Sequence, residues 1–364
     1  MHLSSPRDSD NASLHSGAGE ASRAYLGVIT FLSTEWDARA IRAALDFGLI
    51  DALQRSPATI EGIRQTTGAT PRGLDLLIEL LIVNRVVTRL GDRLELTAGF
   101  RQVLPFRDLL EARIAFADVV WPDFHGLFNA LLTDVPQFMA RSQTFNLFRY
   151  DRCFARTPEN RAATEAWTRF TTCLTRYEAP AALDEIEIQG VADIIDLGGN
   201  TGEFALAFCR RKPALRATVV DLPVVCEIGR EHLARCAPNE ATRIRFWPGD
   251  MRRDALPEAA DLVAFKSVLH DWPEADAVRL IDRARDLVRP GGQLMIFERA
   301  PIAFEGRPPY GLAPDLAFLH FLRPAEVYIK ALGELGFVDI QYRRIELEVG
   351  FHLIVARNPV ERRA

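Results

Sequence analysis

The stretch Asp193-Ile-Ile-Asp-Leu-Gly-Gly-Asn-Thr-Gly202 constrains the fold of this chain more than any other. Its apolar run ends in Asp196, three glycines follow within five residues, and the next segment, 203–209, has the composition of a helix. A strand, a tight glycine turn and a helix in this order are typical of the start of a βαβ unit. Glycines permit the turn and let a ligand approach the main chain. The stretch alone is compatible with a cofactor loop and with an ordinary strand-to-helix turn.

Strand and helix patterns alternate from about residue 184 to the end of the chain. The predicted strands are Ala192–Leu197, Arg216–Val220, Ile244–Trp247, Leu262–Phe265, Gln293–Glu298, Phe337–Arg343 and Gly350–Ala356. This alternation predicts an α/β fold, a doubly wound Rossmann-like domain over 184–364. In such a domain ligands bind at the carboxyl ends of the strands.

The N-terminal region has a different pattern. Residues 1–22 are rich in Ser, Asp, Gly and Ala, which predicts a disordered tail. Residues 23–103 contain helical runs followed by two short β runs around Gly91-Asp92, so we expect a winged helix with a hairpin. Its third helix carries Arg72, Glu79 and a long apolar stripe, which favours a dimerisation module over DNA binding.

Residues 104–183 are predicted to be helical and are rich in aromatic residues. Most of these rings belong to a core or a subunit interface, and Phe145 and Trp167 are candidates for a substrate pocket. Arg149 and Arg152 lie among aromatic residues in Phe148-Arg-Tyr-Asp-Arg152. They form either a solvated charged face or an arginine fork for a substrate carboxylate.

Composition narrows the class of partner. The net charge of −5 provides no electrostatic reason to expect nucleic acid or an anionic membrane. No apolar run reaches the roughly 20 residues that span a bilayer. The five cysteines include no CxxC pair, which predicts reduced, mostly buried thiols and a cytoplasmic protein.

Three further segments follow predicted strands and carry chemistry. Val-Asp221-Leu222-Pro places a carboxylate where nucleotide-binding folds hold ribose hydroxyls. Gly-Asp250-Met251 offers an acceptor for an adenine amino group and a thioether that packs on its ring. The segment 265–272, Phe-Lys-Ser-Val-Leu-His-Asp-Trp, places a titratable His270 beside the expected cofactor.

Together these motifs resemble the S-adenosylmethionine-dependent small-molecule O-methyltransferase family, of the plant caffeate and bacterial natural-product type. The resemblance covers nearly all of the chain from about residue 25 and implies a winged-helix dimerisation domain, and therefore a homodimer. It implies that S-adenosylmethionine is held by Gly198, Gly199, Asp221, Leu222, Asp250, Met251 and Lys266. It also implies that His270 is the general base and that Glu298 orients it. Asn200 stands where the family usually has a third glycine, and Asn tolerates positive φ.

The segment Asp315–Ala325 departs from the family pattern. A glycine-rich loop and its acidic residue are missing before Arg323, and His320 is present instead. His320 is either a core histidine or a ligand that joins His270 and Asp271 to bind one metal ion, iron or zinc. The second interpretation resembles the α-keto acid C-methyltransferases, in which a metal ion stabilises the enolate of the substrate.

The sequence therefore leaves three functions open. The first is metal-assisted C-methylation next to the ketone of an α-keto acid, with Arg149 or Arg152 binding the carboxylate. The second is O-methylation of a phenolic or enolic hydroxyl with His270 as the base. The third is a methyltransferase-like protein that binds cofactor and small molecule without methyl transfer. A nicotinamide-dependent dehydrogenase fits poorly because there is no GxGxxG motif.

Overall fold

The computed structural model describes residues 23–303 and 306–360. The predicted disordered tail, residues 1–22, lies outside this range. Within it no helix is long and apolar enough to cross a lipid bilayer.

The first part of the described chain is a small helical region with a β-hairpin. After the 3₁₀ helix Ala24–Phe31, the helices are α1 (Glu35–Asp46), α2 (Leu49–Arg55), α3 (Ile60–Thr67), α4 (Pro71–Val83) and α5 (Ala98–Val103). The strands are β1 (Ala58–Thr59), β2 (Val87–Leu90) and β3 (Arg93–Leu96). Strands β2 and β3 pair antiparallel around Gly91, whose φ of 62° suits the turn, so the predicted hairpin is confirmed. A capping box at Thr34 and Asp37 begins α1.

The next part is helical, as predicted. It contains the α-helices α6 (Arg107–Thr133), α7 (Val135–Arg141), α8 (Gln143–Leu147) and α9 (Pro158–Leu183), with 3₁₀ helices at Leu104–Phe106 and Tyr150–Phe154. Helix α9 begins at Pro158 because Thr157 caps it by accepting the Asn160 N–H. Helices α6 and α9 pack against each other and against the following domain, so they form one wall of the cavity described below.

A seven-stranded sheet forms the last part of the chain. Its strands are β4 (Asp193–Leu197), β5 (Arg216–Asp221), β6 (Ile244–Pro248), β7 (Ala260–Lys266), β8 (Val288–Arg299), β9 (Val338–Glu346) and β10 (Gly350–Arg357). They lie in the order β6-β5-β4-β7-β8-β10-β9, parallel from β6 to β8 and antiparallel at the β8–β10 and β10–β9 pairs. The chain order reverses between β4 and β7, which is where doubly wound sheets bind ligands.

Helices cover both faces of this sheet. They are α10 (Glu203–Arg211), α11 (Pro223–Cys236), α12 (Pro238–Ala241), α13 (Glu274–Arg285), α14 (Ala313–Ala317) and α15 (Ala325–Glu334), with 3₁₀ turns at Leu269–Asp271, Tyr310–Leu312 and Leu319–Phe321. Successive residues of a strand face opposite sides, so Ile194 packs into one buried cluster and Ile195 into another. A strand buried on both faces is nearly continuous in apolar residues, and β4 shows this.

A buried ion-pair network joins the helical region to the sheet domain. Arg113 of α6 has a 3 % exposed side chain and contacts Asp315 at 2.8 Å and Glu348 at 3.1 Å. Arg299 at the end of β8 contacts the same Asp315 at 3.3 Å and Glu178 of α9 at 2.7 Å. Glu178 also pairs with Lys266, the last residue of β7, so six charges neutralise one another behind the cavity.

We expect Arg113→Ala to lower the free energy of unfolding by about 3–5 kcal/mol, because the substitution leaves two buried carboxylates without their shared partner. Urea denaturation followed by circular dichroism measures this. Arg42→Ala, which removes an exposed i,i+4 pair with Asp46, is the matched control and should change the value by only about 0.3–0.5 kcal/mol. Equal effects of the two variants would contradict the structural role of the network.

Candidate active site

A cavity of about 420 Å³ opens at the carboxyl ends of the central parallel strands. The glycine turn after β4 and the strand ends of β5 and β7 form one side of it. Aromatic residues of the helical region and of the segment after α14 form the other, namely Phe116, Phe148, Tyr150, Trp167 and Phe318. The seven residues expected to hold the cofactor all line this cavity: Gly198, Gly199, Asp221, Leu222, Asp250, Met251 and Lys266.

The glycine turn requires its glycines. Gly198 has φ of 70°, and a Cβ there would lie 2.7 Å from Cγ2 of Val268. A Cβ on Gly199 would collide with the carboxylate of Asp196. Asn200 has φ of 53°, as expected from its tolerance of the left-handed region. The backbone can therefore pass close to a ligand only with these residues.

Asp196 is a functional candidate that the sequence motifs did not indicate. It is the last residue but one of β4, is 0 % exposed and lines the cavity, and neither carboxylate oxygen has a hydrogen-bond partner in the described chain. Burial, reinforced by the charge of Asp221, raises its pKa to about 7. The Ala205 N–H points toward the carboxylate and offsets little of this rise. An unpartnered buried carboxylate is complementary to a cationic ligand group.

Asp221 holds the glycine turn as well as facing the cavity. One of its oxygens accepts the Asn200 N–H at 2.8 Å and the other accepts the Leu222 N–H at 2.7 Å. Burial raises its pKa to about 6, although these two N–H groups oppose the rise. Asp221 therefore links the end of β5 to the glycine turn that follows β4.

The Asp250 carboxylate is already engaged. Arg252 donates to both of its oxygens, at 2.9 and 2.8 Å, and the guanidinium carbon of Arg252 lies 4.2 Å above the Trp272 ring. These contacts lower the pKa of Asp250 despite the opposing effect of burial. Met251 is half-buried beside it.

His270 is fixed by a completely buried carboxylate. Glu298 accepts the Val268 and Leu269 N–H groups at 2.6 Å each, and its other oxygen accepts from Nδ1 of His270 at 2.7 Å. With a proton on Nδ1, neutral His270 carries its free lone pair on Nε2. Burial alone lowers the pKa of His270, but the charges of Glu298 and Asp271 outweigh it and raise the pKa. Burial opposes ionisation of Glu298, yet His270 and the two amides lower its pKa overall.

Further hydrogen bonds fix the 3₁₀ turn Leu269–Asp271, which carries His270. Tyr150 donates its hydroxyl to Asp271 at 3.0 Å, and Asp271 lies 3.5 Å from Nε2 of His270. Arg323 donates to the Leu269 carbonyl at 2.9 Å and also to the Trp272 carbonyl. The imidazole is therefore oriented by contacts on both its sides.

The metal-ligand set predicted from the sequence is not formed. His320 lies on the exposed turn Leu319–Phe321, outside the cavity lining, and its Nε2 donates to the Leu131 carbonyl at 2.7 Å. Nδ1 of His270 is occupied by Glu298. His270, Asp271 and His320 do not converge on one point, whereas a metal ion needs all its ligands about 2.0–2.3 Å away. The expected iron or zinc centre at this position was wrong.

The predicted substrate arginines also lie elsewhere. Arg149 is exposed and pairs with Asp151, and Arg152 donates to the Asn146 side chain at 2.8 Å. Neither lines the cavity, and nor does Phe145, which packs on Phe138, Phe318 and Phe321. Trp167 does line the cavity. Arg149 and Arg152 contact residues two and six positions away along the chain. They therefore belong to a solvated charged face and do not form a fork for a substrate carboxylate.

The charges that do line the cavity have a clear pattern. All four of its Lys and Arg side chains in the described chain, Arg113, Arg252, Lys266 and Arg299, are ion-paired with carboxylates. Asp196 and Asp221 have no such basic partner; backbone N–H groups are the donors to Asp221. The cavity thus favours a ligand that brings positive charge. Arg113 and Arg299 could not have been found from local motifs, because their partners are distant in the chain.

Solved structures share this fold. Human N-acetylserotonin methyltransferase in complex with S-adenosylmethionine superposes with a TM-score of 0.66, covering 98 % of this chain and 100 % of that one at 21 % identity. At that identity the likeness shows the fold. It is the fold of the class I S-adenosylmethionine-dependent methyltransferases, with a helical N-terminal region and a mostly parallel Rossmann-like sheet.

The sequence comparisons define the family. Residues 131–309 match the family described as O-methyltransferase domain. The mitomycin biosynthesis 6-O-methyltransferase of Streptomyces lavendulae is 30 % identical over 273 residues, 73 % of this chain and 75 % of that protein. The chain belongs to the S-adenosylmethionine-dependent small-molecule O-methyltransferase family and is a methyltransferase enzyme. Aclacinomycin 10-hydroxylase RdmB of Streptomyces purpurascens, a relative with another reaction in its name, is 29 % identical over 283 residues, 73 % of this chain and 71 % of that protein.

The raised pKa of Asp196 predicts a pH-dependent stability difference. Its folded pKa of about 7 exceeds the value of about 3.9 in an unfolded chain. Between these pH values the carboxyl group is ionised in the unfolded chain but protonated in the folded one, so the folded state loses stability as the pH rises. Asp196→Asn keeps the side chain neutral. Its stability advantage over the parent should therefore widen by roughly 2 kcal/mol from pH 5 to pH 8 in urea denaturation. Asp92→Asn on the exposed hairpin turn is the control, and a gap for Asp196→Asn that stays constant with pH would refute the assignment.

Proposed function

We propose that this enzyme transfers a methyl group from S-adenosylmethionine to a hydroxyl group of an aromatic small molecule, with His270 as the general base. The observation that carries this proposal is the pairing of His270 with Glu298. It leaves the proton-accepting Nε2 of a neutral imidazole in the turn that lines the cavity. A general base needs to reach the hydroxyl proton and to have its pKa near the working pH.

The cofactor is assigned to the side of the cavity formed by the strand ends. We propose that Gly198, Gly199, Asp221, Leu222, Asp250, Met251 and Lys266 contact it, and that Asp196 faces its positively charged part. S-adenosylmethionine supplies a methyl group made electrophilic by a positively charged sulfur. The two carboxylates without basic partners, Asp196 and Asp221, suit such a cation. Asp250, which already accepts from Arg252, would also be the acceptor for the adenine amino group.

His270 would take the hydroxyl proton on Nε2 as the acceptor oxygen bonds to the methyl carbon, and the bond from that carbon to sulfur would break to leave a neutral thioether. Glu298 and Asp271 stabilise the imidazolium that forms, because both carboxylates raise the pKa of His270. Tyr150 and Arg323 keep the turn in place, so little reorganisation accompanies proton transfer. Phe116, Phe148, Trp167 and Phe318 surround the acceptor position with aromatic rings, which favours an aromatic acceptor.

The geometry supports this function over C-methylation of an α-keto acid. That reaction needs a cation for the substrate carboxylate and a metal ion for the enolate oxygen. The lysine and arginine side chains of the described cavity lining are all paired, and the expected metal ligands are apart. A neutral phenol or enol needs neither group.

We also propose that residues 23–103 form a dimerisation domain, 104–183 a helical segment shared between the dimer interface and the substrate pocket, and 184–364 the cofactor domain. Large apolar side chains on the first region support this, since Trp36 is 68 % exposed, Leu76 58 % and Val83 77 %. Light scattering of the purified protein should give a dimer mass at micromolar concentration. A monomer mass would refute the dimer.

The function is tested by incubating the enzyme with methyl-labelled S-adenosylmethionine and two matched panels, phenols and aryl α-keto acids. We expect O-methylated phenols, identified by NMR. His270→Ala should lower the rate by about 10²–10⁴-fold with unchanged cofactor affinity, while His125→Gln on the exposed part of α6 is the control.

Because the neutral imidazole is the active form, the rate should fall as the pH drops through the raised pKa of His270. Glu298→Gln should move that limb to lower pH.

C-methylated α-keto acids would overturn the proposal. So would a hydroxylated product without methyl transfer, the outcome that the RdmB relative makes worth measuring.

A further inference from the structure

A second group of metal-ligating side chains lies outside the cavity, on the far side of the glycine turn. Glu203 is the first residue of α10, immediately after Gly202 of that turn. His232 and Cys236 lie on α11, four residues and about one helical turn apart, so they share one face of the helix. None of the three lines the cavity or takes part in the proposed methyl transfer.

Their ligand atoms converge. Oε1 of Glu203 lies 2.8 Å from Nε2 of His232, and Sγ of Cys236 lies 3.5 Å from the same Nε2. All three atoms are within 4.8 Å of one another, the one group of three such residues that meets this distance in the described chain. With bonds of about 2.0–2.3 Å to zinc, tetrahedral ligands lie about 3.3–3.8 Å apart. The 3.5 Å separation of Cys236 and His232 already fits this range, and the 2.8 Å contact of Glu203 with His232 must lengthen by about 0.5 Å.

We propose that Glu203, His232 and Cys236 bind a divalent zinc-like ion that ties α10 to α11. A thiolate and an imidazole select a borderline-soft ion such as zinc over magnesium or calcium. A thiolate and a carboxylate also neutralise its two positive charges. Cys236 is exposed, so a fourth ligand can be a water molecule on the solvent side.

The surroundings are compatible with this charge balance. Glu203 and His232 side chains are 4 % and 12 % exposed, so two of the three ligands are held in a restricted space. Arg176 contacts Oε1 of Glu203 at 3.0 Å, but it is separately paired with Asp108 at 2.7 Å. Arg176 and His232 therefore share Oε1, and an ion bound there would displace Arg176, which keeps its partner Asp108.

An ion bound by these three residues would link two helices that follow neighbouring strands of the sheet. Helix α10 follows the glycine turn after β4, and helix α11 begins directly after Asp221-Leu222 at the end of β5. An ion shared by the two helices would hold the first two strand-end loops in register. It would act on stability, since a ligand bound only by the folded state raises its thermal midpoint.

The test is a cobalt titration of the full-length, chelator-treated enzyme. We expect one Co²⁺ per chain, with the intense visible bands of tetrahedral cobalt and a near-ultraviolet thiolate-to-cobalt band that zinc abolishes. Cys236→Ser, at an exposed position that should not disturb folding, should remove the near-ultraviolet band and weaken binding at least about tenfold. His232→Gln should also weaken binding, whereas the exposed His125→Gln should not.

Thermal melts provide a second readout. At about a hundredfold excess over Kd, zinc should raise the thermal midpoint of the parent and of His125→Gln by about 5 °C, and that of Cys236→Ser much less. A thiolate band that persists in Cys236→Ser would overturn the proposal. So would failure to bind Co²⁺ at about 10 µM protein, because the three side chains would then form only a hydrogen-bonded cluster.

Discussion

The carboxylate of Glu298 is the contact on which the proposed chemistry depends. It is completely buried and accepts two backbone N–H groups from one turn as well as the Nδ1 proton of His270. A buried charge is tolerated only when such donors surround it, so the turn cannot move without leaving that charge unpaired. Glu298 sets the tautomer of His270, contributes to its orientation, and is the larger of the two carboxylate charges that raise its pKa.

Asp196 shows the opposite use of a buried carboxylate. Glu298 has donors for both its oxygens and a lowered pKa, whereas Asp196 has no hydrogen-bond partner in the described chain and a pKa raised to about 7. The first group is satisfied by the protein and fixes His270, the proposed general base. The second is left for a ligand with positive charge, and its unfavourable burial in the free protein would be relieved when that ligand binds. The glycine turn packs directly over this carboxylate, which explains why Gly199 has no room for a side chain.

Local sequence patterns predicted the elements and the residues that line the strand-end side of the cavity. All seven strands of the sheet were identified to within a few residues at most of their ends. Burial on both faces explains the continuous apolar runs of β7 and β10, whereas β9 is largely exposed. Parallel strands bring their carboxyl ends to one edge, so Gly198, Asp221, Asp250 and Lys266 could be placed together without coordinates.

The acceptor side could not be predicted in this way. Arg113 and its partner Asp315 are 202 residues apart, and no periodicity signals that pairing. Two local contacts also differ from the roles predicted for His320 and Arg149 from the sequence. His320 faces a backbone carbonyl of α6 because the segment after α14 turns outward as a 3₁₀ helix, and Arg149 pairs with a carboxylate two residues away. Side-chain direction at such turns depends on tertiary packing rather than on residue type.

Charge pairing on the acceptor side is what separates the candidate reactions. A buried arginine that already contacts two carboxylates gains little from a third, since the ligand carboxylate must displace a partner and leave it unpaired. Arg113 and Arg299 are both in this state, and the network they form with Glu178, Asp315, Glu348 and Lys266 has no net charge. A neutral aromatic hydroxyl avoids that penalty, and in the proposed reaction Nε2 of His270 is its proton acceptor. The same electrostatic arrangement that stabilises the fold therefore favours O-methylation of an uncharged acceptor.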